Sequence, residues 1–467
     1  MLRKTTQMLI DSLGYERGFV GAPMAIGANL EQTQGSNRLL AVPAGQVFLI
    51  THFVGQVDVS AYITTFEGSP QVSSLYSGVS VASVPSGNPW VVRFRGMARW
   101  NNLFRTGGTP NWMNSPPSNP ISWQLKYPIA VPGPWTINGS GSGQGWGNGM
   151  SVHGFFVDAA AARTMGFQVD NTAGVTSDNR VFGVASDNGS GSTLITGRAG
   201  KSIRILDIDI RFQPETNTAS VLTLQQGDGR RIFRIPNSNP AEMVHVQCSP
   251  DIFLKAGEDL EIDAPDFSCS VNVSYEFVDA SEVPDDHWWS CVDPTKPTPT
   301  TTGTGFLDIY KKVSTELTLY YPGSDTTGTS PGKGFQHFLR GYVLGAEKTS
   351  VAQTVDSDLT EQTRMAITSG PAAGAIAFST AVITGDGYHV TPVWSLSAHD
   401  QVLNVCAQGL NIPGNPDDGS FWFNTLQTGP SAATTPSDTE ADIAAWGLTM
   451  WGRRVPNKTI AQSNRGV

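Results

Sequence analysis

Hydrophobic residues alternate with polar ones over many short stretches of this chain, the period-two pattern of strands with one buried face. In the first third the pattern predicts strands over 47–59, 90–94, 122–127 and 151–157. Glycine- and proline-dense loops separate them, among them Gly107-Gly108-Thr109-Pro110 and the run from Asn138 to Gly143. Trp146-Gly147-Asn148-Gly149 carries an Asn-Gly hairpin signal directly before the last of these strands. In the run from Ile203 to Phe212 the apolar parity switches at Leu206, which predicts a bulge. Beyond it Asp207, Asp209 and Arg211 share the polar face. Gly227-Asp228-Gly229 predicts a hairpin turn into a strand over 231–235. Helical periodicity is confined to residues 1–14, where Leu2, Thr6, Leu9 and Leu13 share one face and Gly14 supplies a stop.

Two strand-length stretches, 150–159 and 271–280, both close on Phe-Val-Asp-Ala and lie 121 residues apart. Met150, Val152, Gly154 and Phe156 match Val271, Val273, Tyr275 and Phe277 in register. Earlier in each module an Ala-Gly precedes a β-rich run, Ala44-Gly45 in one and Ala199-Gly200 in the other, at an offset of 155. One β-module therefore occurs at least twice, and the first copy carries about 34 more residues, as loops whose closure entropy grows only logarithmically with length.

At 467 residues the chain exceeds what one core supports. The division expected is a docking arm over 1–20, modules over 21–163 and 164–283, a linker over 284–305, a third module over 306–456 and a tail over 457–467. The linker rests on the Pro/Thr run that follows Val292, and the third module ends on an alternating strand, Ala444 to Trp451, where the repeats place theirs. The fold class expected is all-β: tandem β-sandwich, jelly-roll-like modules behind a short N-terminal helical arm.

Composition agrees, with 50 glycines, 30 prolines and 15% charged residues. A net charge of −10 without a basic stripe argues against a nucleic-acid partner. No stretch of about 20 apolar residues predicts a membrane-spanning helix. The N-terminus lacks the long apolar region of a signal peptide, so the chain is expected to stay in the cytoplasm until assembled or released. Four cysteines make no disulfide framework; Cys248 and Cys269 are candidates for cross-strand neighbours, and reduced buried thiols are the plainer expectation.

No catalytic constellation emerges. The seven histidines (His52, His153, His245, His287, His337, His389 and His399) show no metal-ligand spacing, and neither a nucleophile elbow nor a P-loop is present. The carboxylate pairs Asp285-Asp286, Asp417-Asp418 and Glu258-Asp259 read as solvated or as pointing to opposite faces. Asp356-Ser357-Asp358 and Asp187-Asn188-Gly189 offer oxygens for Ca²⁺ without completing a loop motif, and no cofactor is expected. The unusual feature is Trp100, Trp112, Trp123, Trp135 and Trp146, at spacings of 12, 11, 12 and 11, close to one strand plus one turn. Such a series suits a module core, a subunit interface or a glycan-stacking platform.

Lys4-Thr5-Thr6-Gln7-Met8-Leu9 resembles the short leaders of tailed-phage fibre and spike proteins. The tandem Gly-, Ser-, Thr- and Asn-rich modules resemble phage virion appendages and capsid-decorating proteins in style. The resemblance implies a non-enzymatic virion protein, a homotrimer or other symmetric assembly, contacting other virion proteins and docked through Leu2, Leu9, Ile10 and Leu13. A carbohydrate-binding, host-receptor protein using the tryptophan series is the alternative, and a jelly-roll capsid protein the second.

Overall fold

In a computed structural model, the described residues are 19–29, 37–56, 60–66, 91–95, 120–142, 149–167, 182–187, 192–213, 221–236, 245–248, 252–263, 268–292, 300–301, 309–332, 334–347, 362–368, 393–397, 402–405, 410–411, 420, 422–428 and 445–456. The helix expected over residues 1–14 lies outside them.

The first unit contains β1 (Phe19–Asn29), β2 (Asn37–Ala41), β3 (Gln46–Gln56), β4 (Ser60–Phe66), β5 (Val91–Arg95), β6 (Pro120–Pro132), β7 (Thr136–Ser142) and β8 (Gly149–Asp158). They form two antiparallel sheets, ordered β1-β8-β3-β6 and β2-β7-β4-β5. Eight strands alternating between two sheets in this order are a jelly roll.

The second unit contains β9 (Phe182–Asp187), β10 (Ser192–Ile195), β11 (Lys201–Gln213), β12 (Val221–Gln226), β13 (Arg231–Pro236), β14 (His245–Cys248), β15 (Ile252–Phe253), β16 (Leu260–Asp263) and β17 (Ser268–Asp279). Its sheets run β14-β11-β17-β9, with β15 on β11, and β10-β16-β12-β13. With β14 and β15 sharing one position, this is the same strand order.

The third unit contains β18 (His287–Val292), β19 (Thr300–Thr301), β20 (Ile309–Glu316), β21 (Leu319–Tyr321), β22 (Thr326–Gly328), β23 (Phe335–Glu347), β24 (Gln362–Thr368), β25 (Val393–Ser397), β26 (Val402–Val405), β27 (Leu410–Asn411), β28 (Trp422–Thr428) and β29 (Ala445–Pro456). Its orders are β22-β21-β18-β29-β23-β26 and β19-β20-β28-β24-β25. Setting aside the extra hairpin β21–β22 and the short strands β19 and β27, which pair with β20 and β23, the order repeats again. The chain is three jelly rolls in tandem.

The repeat holds to the residue. The third strand of each roll is entered by a four-residue turn, in which Gln46, Lys201 and Phe335 donate their N–H groups to the carbonyls of Pro43, Arg198 and Gly332 at 3.1, 3.0 and 3.2 Å. The third residue of each turn, Gly45, Gly200 or Gly334, has φ of 81°, 71° or 81°, a conformation that glycine adopts without steric cost. Gln46 lies opposite Asp158, Lys201 opposite Asp279 and Phe335 opposite Pro456. The register then shifts between Ile50 and His52, Ile205 and Asp207, and Leu339 and Gly341. A β-bulge thus sits at the same distance into every third strand, including the expected one at Leu206.

The Phe-Val-Asp-Ala words close equivalent strands, β8 and β17. In both, the alanine N–H caps the turn glycine, Ala159 to the Gly45 carbonyl at 2.9 Å and Ala280 to that of Gly200 at 3.0 Å. The chain then enters a helical turn, the α-helix α1 (Ala159–Thr164) in the first roll and a 3₁₀ turn over Ala280–Glu282 in the second. The face matched between the repeats is the sandwich interior: Phe48, Ile50 and Phe53 meet Phe156, Gly154 and Val152 in one roll, and Ile203, Ile205 and Ile208 meet Phe277, Tyr275 and Val273 in the next.

Two expectations are corrected. The segment 284–305 is no linker where it is described: β18 pairs with β29 and β19 with β20 inside the third roll, and Trp288 and Trp289 are buried there. β7 and β8 belong to different sheets, and Asn148 of the Asn-Gly signal lies outside the described residues. Cys248 and Cys269 are not neighbours, since β14 and β17 flank β11 on opposite sides, opposite Ile208 and Phe212 respectively. Two strand spacings, about 10 Å, exceed the reach of a disulfide before that offset is counted. The hairpin at Gly227–Gly229 is present: β12 and β13 pair antiparallel across it.

Candidate functional site: the junctions between rolls

The buried polar and aromatic groups with unusual environments gather where one roll meets the next. At the first junction the fifth strand of roll one, β5, lies against β17, β9 and β11 of roll two, and β6 touches β11. Beyond the Leu206 bulge, Asp207 and Asp209 face away from the roll-two interior, and roll one buries them to 1% and 0% exposure. Trp123 on β6 stacks on Phe53 at 5.6 Å and donates its Nε1–H to Asp207 Oδ2 at 3.0 Å. Asn272 Nδ2 donates to Asp209 Oδ2 at 3.3 Å. Burial holds the Asp207 carboxyl well above the usual carboxylate range; the Trp123 donation and the Lys126 backbone N–H oppose the rise, and the Asp209 charge adds to it. A protonated Asp207 presents a hydroxyl, so this junction closes without a full buried charge at that position.

The second junction repeats the first in topology. The fifth strand of roll two, β13, lies against β29, β18 and β23 of roll three, which correspond to β17, β9 and β11. Its chemistry is apolar. Phe233 meets Trp451 at 5.8 Å, Trp289 meets Tyr320 edge-on at 4.8 Å, and Trp289 Nε1 donates to the Phe253 carbonyl at 3.0 Å. Trp289, Tyr320, Val343 and Trp451 belong to the same buried cluster as the roll-two interior. Gly341 permits this, because a Cβ there would overlap the Trp451 ring.

The hairpin β21–β22, which the other rolls lack, adds an ionic clasp. Asp325, at its turn, has φ of 49°, a left-handed conformation that aspartate tolerates. It accepts from Lys255 Nζ at 2.9 Å and Arg230 Nη1 at 3.1 Å, both on roll two, and from Tyr320 OH at 2.9 Å. Lys255 first, then Tyr320 and Arg230, hold this carboxylate below its ordinary range. The Arg230 guanidinium also lies 4.1 Å from the Tyr320 ring centroid.

The expected site residues fall as follows. Trp123 and Trp135 are core residues at 0% and 6% exposure, so neither presents a face to a sugar, and Trp123 serves the first junction. Trp100, Trp112 and Trp146, and the arm residues Leu2, Leu9, Ile10 and Leu13, lie outside the described residues. His52 and His153 sit side by side with ring centroids 6.1 Å apart. His287 stacks on Phe253 at 5.1 Å, and His337 is buried in roll three with Nε2 3.0 Å from Tyr321 OH. Asp286 pairs with Arg453, and Asp259 Oδ1 accepts from the Gly197 N–H at 2.6 Å. Burial pushes the Cys291 thiol up to about 11. Among the described residues no group of three His, Cys, Asp or Glu side chains is placed to hold a metal. Asp325, Phe233 and Trp451 were not singled out by sequence; their partners lie in other rolls, and no local pattern marks them.

No protein-family model and no curated protein sequence matches the chain. Among solved structures, it is similar to a protein described under "The Triple Jelly Roll Fold and Turret Assembly in an Archaeal Virus", at 9% identity and a TM-score of 0.17, over 93% of this chain and 84% of that one. It is also similar to PNGF-II in its P21 crystal form, at 8% identity and a TM-score of 0.24, over 87% of this chain and 99% of that one. The C2 form of PNGF-II gives 9% identity and a TM-score of 0.21, over 88% and 97%. Superpositions this loose carry no argument; the three jelly rolls rest on strand order and register.

Proposed function

We propose that the chain is a non-enzymatic structural protein of a virus particle, an external appendage or capsid decoration. The observation that carries this reading is the pair of buried junctions repeating one topology. Its aromatic and carboxylate groups lock roll to roll instead of lining a cleft. Jelly rolls recur in viral capsid proteins, and also in lectins and cupins, so the fold supports this reading by analogy and the junctions give it physical content. In the form we favour, a tailed-phage particle takes up the chain in the host cytoplasm. Residues 1–14 dock it through Leu2, Leu9, Ile10 and Leu13, and symmetric copies, a homotrimer in the simplest case, project outward.

The test is the protein content of gradient-purified particles, with the full chain and with a variant lacking residues 1–14. Full-length chain in fixed stoichiometry with the shell protein, lost on truncation while the rolls stay folded, is the expected result. Recovery of the full chain solely from particle-free lysate overturns the virion assignment, and normal uptake of the truncated chain overturns the docking role.

A further inference from the structure

The bulge in the third strand of each roll sets one residue between two runs of cross-strand pairs: Thr51, Leu206 and Arg340. The pair that follows it is His52–His153 in roll one, Asp207–Ser274 in roll two and Gly341–Trp451 in roll three. The junctions use the second and third pairs, through the Trp123 bond to Asp207 and the packing of Trp451 on Phe233. In roll one the pair is two imidazoles, both half-buried, with ring centroids 6.1 Å apart and planes tilted by 46°.

The bulge residue decides what those rings present. The buried Thr51 hydroxyl donates to the His153 carbonyl at 3.1 Å. A hydroxyl has one proton, so in its 2.9 Å contact with His52 Nδ1 the ring nitrogen is the donor. His52 therefore carries a proton on Nδ1, and the neutral ring keeps the lone pair of Nε2. A hydrogen bond on one ring nitrogen prepares the other for a metal in this way. Leu206 and Arg340 bring no hydroxyl to the same position in the other rolls. Gln124, opposite His52 on β6, hydrogen-bonds the same ring through its side chain. With Nδ1 committed to Thr51, that bond falls on Nε2, and a half-turn of the amide brings its oxygen to an ion bound there.

Directly opposite residues on antiparallel strands have Cβ atoms about 4.5–5.5 Å apart, which lets both side chains reach one ion. Two imidazoles at about 2.0–2.1 Å from a tetrahedral ion hold their ring centres about 5 Å apart. Closing to that from 6.1 Å is a matter of side-chain rotation on fixed strands.

We propose that His52 and His153 form a bidentate site for a divalent transition-metal ion of the imidazole-preferring class, Zn²⁺ foremost. Water and the Gln124 amide oxygen complete the coordination. Two protein imidazoles make an open, exchangeable site, and the ion ties β3 to β8 just past the bulge. The proposal is independent of the virion reading.

The experiment titrates Zn²⁺ into the chelator-treated full chain by calorimetry near neutral pH. The expected result is saturable binding of one ion per chain, weakened at least about tenfold in His52→Gln and in His153→Gln while the thermal transition of the metal-free chain is kept. Thr51→Val retains both ligands but removes the Nδ1 acceptor, and weakens binding about tenfold. With Cu²⁺ as the probe, the electron paramagnetic resonance spectrum of the wild-type chain shows coupling to two imidazole nitrogens. That spectrum needs no variant, so it decides the site even where a substitution unsettles the fold. Absence of saturable binding, binding unchanged by loss of either imidazole, or a Cu²⁺ spectrum without two-nitrogen coupling overturns the site. Wild-type affinity in Thr51→Val overturns the preparation of His52 by the bulge.

Discussion

The two junctions share a topology and differ in almost every other respect. The first is polar and buried, with Asp207, Asp209 and Asn272 enclosed and Trp123 hydrogen-bonded to Asp207. The second merges the interior of roll two with Trp289, Tyr320, Val343 and Trp451 into one hydrophobic cluster, tied at its rim by Asp325. A fold repeat dictates where elements cross, whereas the side chains at the crossing decide whether two units share a core. Rolls two and three therefore form one cooperative block, and roll one joins it across an interface that depends on protonation.

The largest expected effect comes from breaking the shared core. Trp451→Ala removes a ring packed on Phe233 and should cost about 3–5 kcal/mol. Chemical denaturation followed by hydrogen exchange should show rolls two and three destabilised together, with β8 little changed. Loss confined to roll three would show that the cluster is not one unit.

Acid comes next. Burial depresses His337 to about 3, with the Arg454 charge adding to it, so between the unfolded value near 6.5 and that value the unfolded chain binds the proton first. Its stability contribution is complete above about 6.5 and is lost as pH falls, at up to about 1.4 kcal/mol per unit. Denaturant midpoints of the roll-two and roll-three block should drop from pH 6.5 to pH 4.5; a flat profile would contradict the buried neutral imidazole.

Asp207 has the opposite sign. Its folded value is raised, so the folded state keeps its proton where the unfolded state has lost it, and stability falls as pH climbs above the ordinary carboxylate value. Asp207→Asn keeps an acceptor for Trp123 and should gain on the order of 1 kcal/mol at pH 8, with little gain at pH 4. A loss at pH 8 would show that the ionised form is the native one.

The smallest effect belongs to the clasp. Asp325 is 43% exposed at its side chain, so Asp325→Ala should cost no more than about 1 kcal/mol and should fade in high salt.

Sequence revealed the features whose physics is local. Phe-Val-Asp-Ala is legible because the strand end and the helical turn that follows it occur within a few residues of one another, although the glycines their alanines cap lie 114 (Gly45 to Ala159) and 80 (Gly200 to Ala280) positions away. The Leu206 bulge is legible because the parity of Ile203 to Ile210 switches cleanly. The equivalent bulge at Thr51 is hidden, because Val47, Phe48, Leu49 and Ile50 are all buried and the alternation disappears. The helix α1 touches β3 and β8, and Ala162, Met165 and Phe167 join the same cluster, which accounts for burial on the outer side. The third module is legible only by position, because its closing strand ends Arg454-Val455-Pro456 and its entry turn shares only the third-position glycine with the others. The Pro/Thr run reads as a linker because β18, six residues long, ends directly before it, and nothing local shows that β18 and β19 on either side pair within one roll. The junction residues had no sequence signature: Trp123 and Asp207 are 84 positions apart, and Arg230 and Asp325 are 95.

Native-state hydrogen exchange in rising denaturant tests the contrast between junctions most directly. Amides of β13, β18 and β29 should converge on one opening free energy, with those of β3 and β8 converging on a separate one. A single free energy for all five strands, or separate values for β13 and β29, would contradict the account.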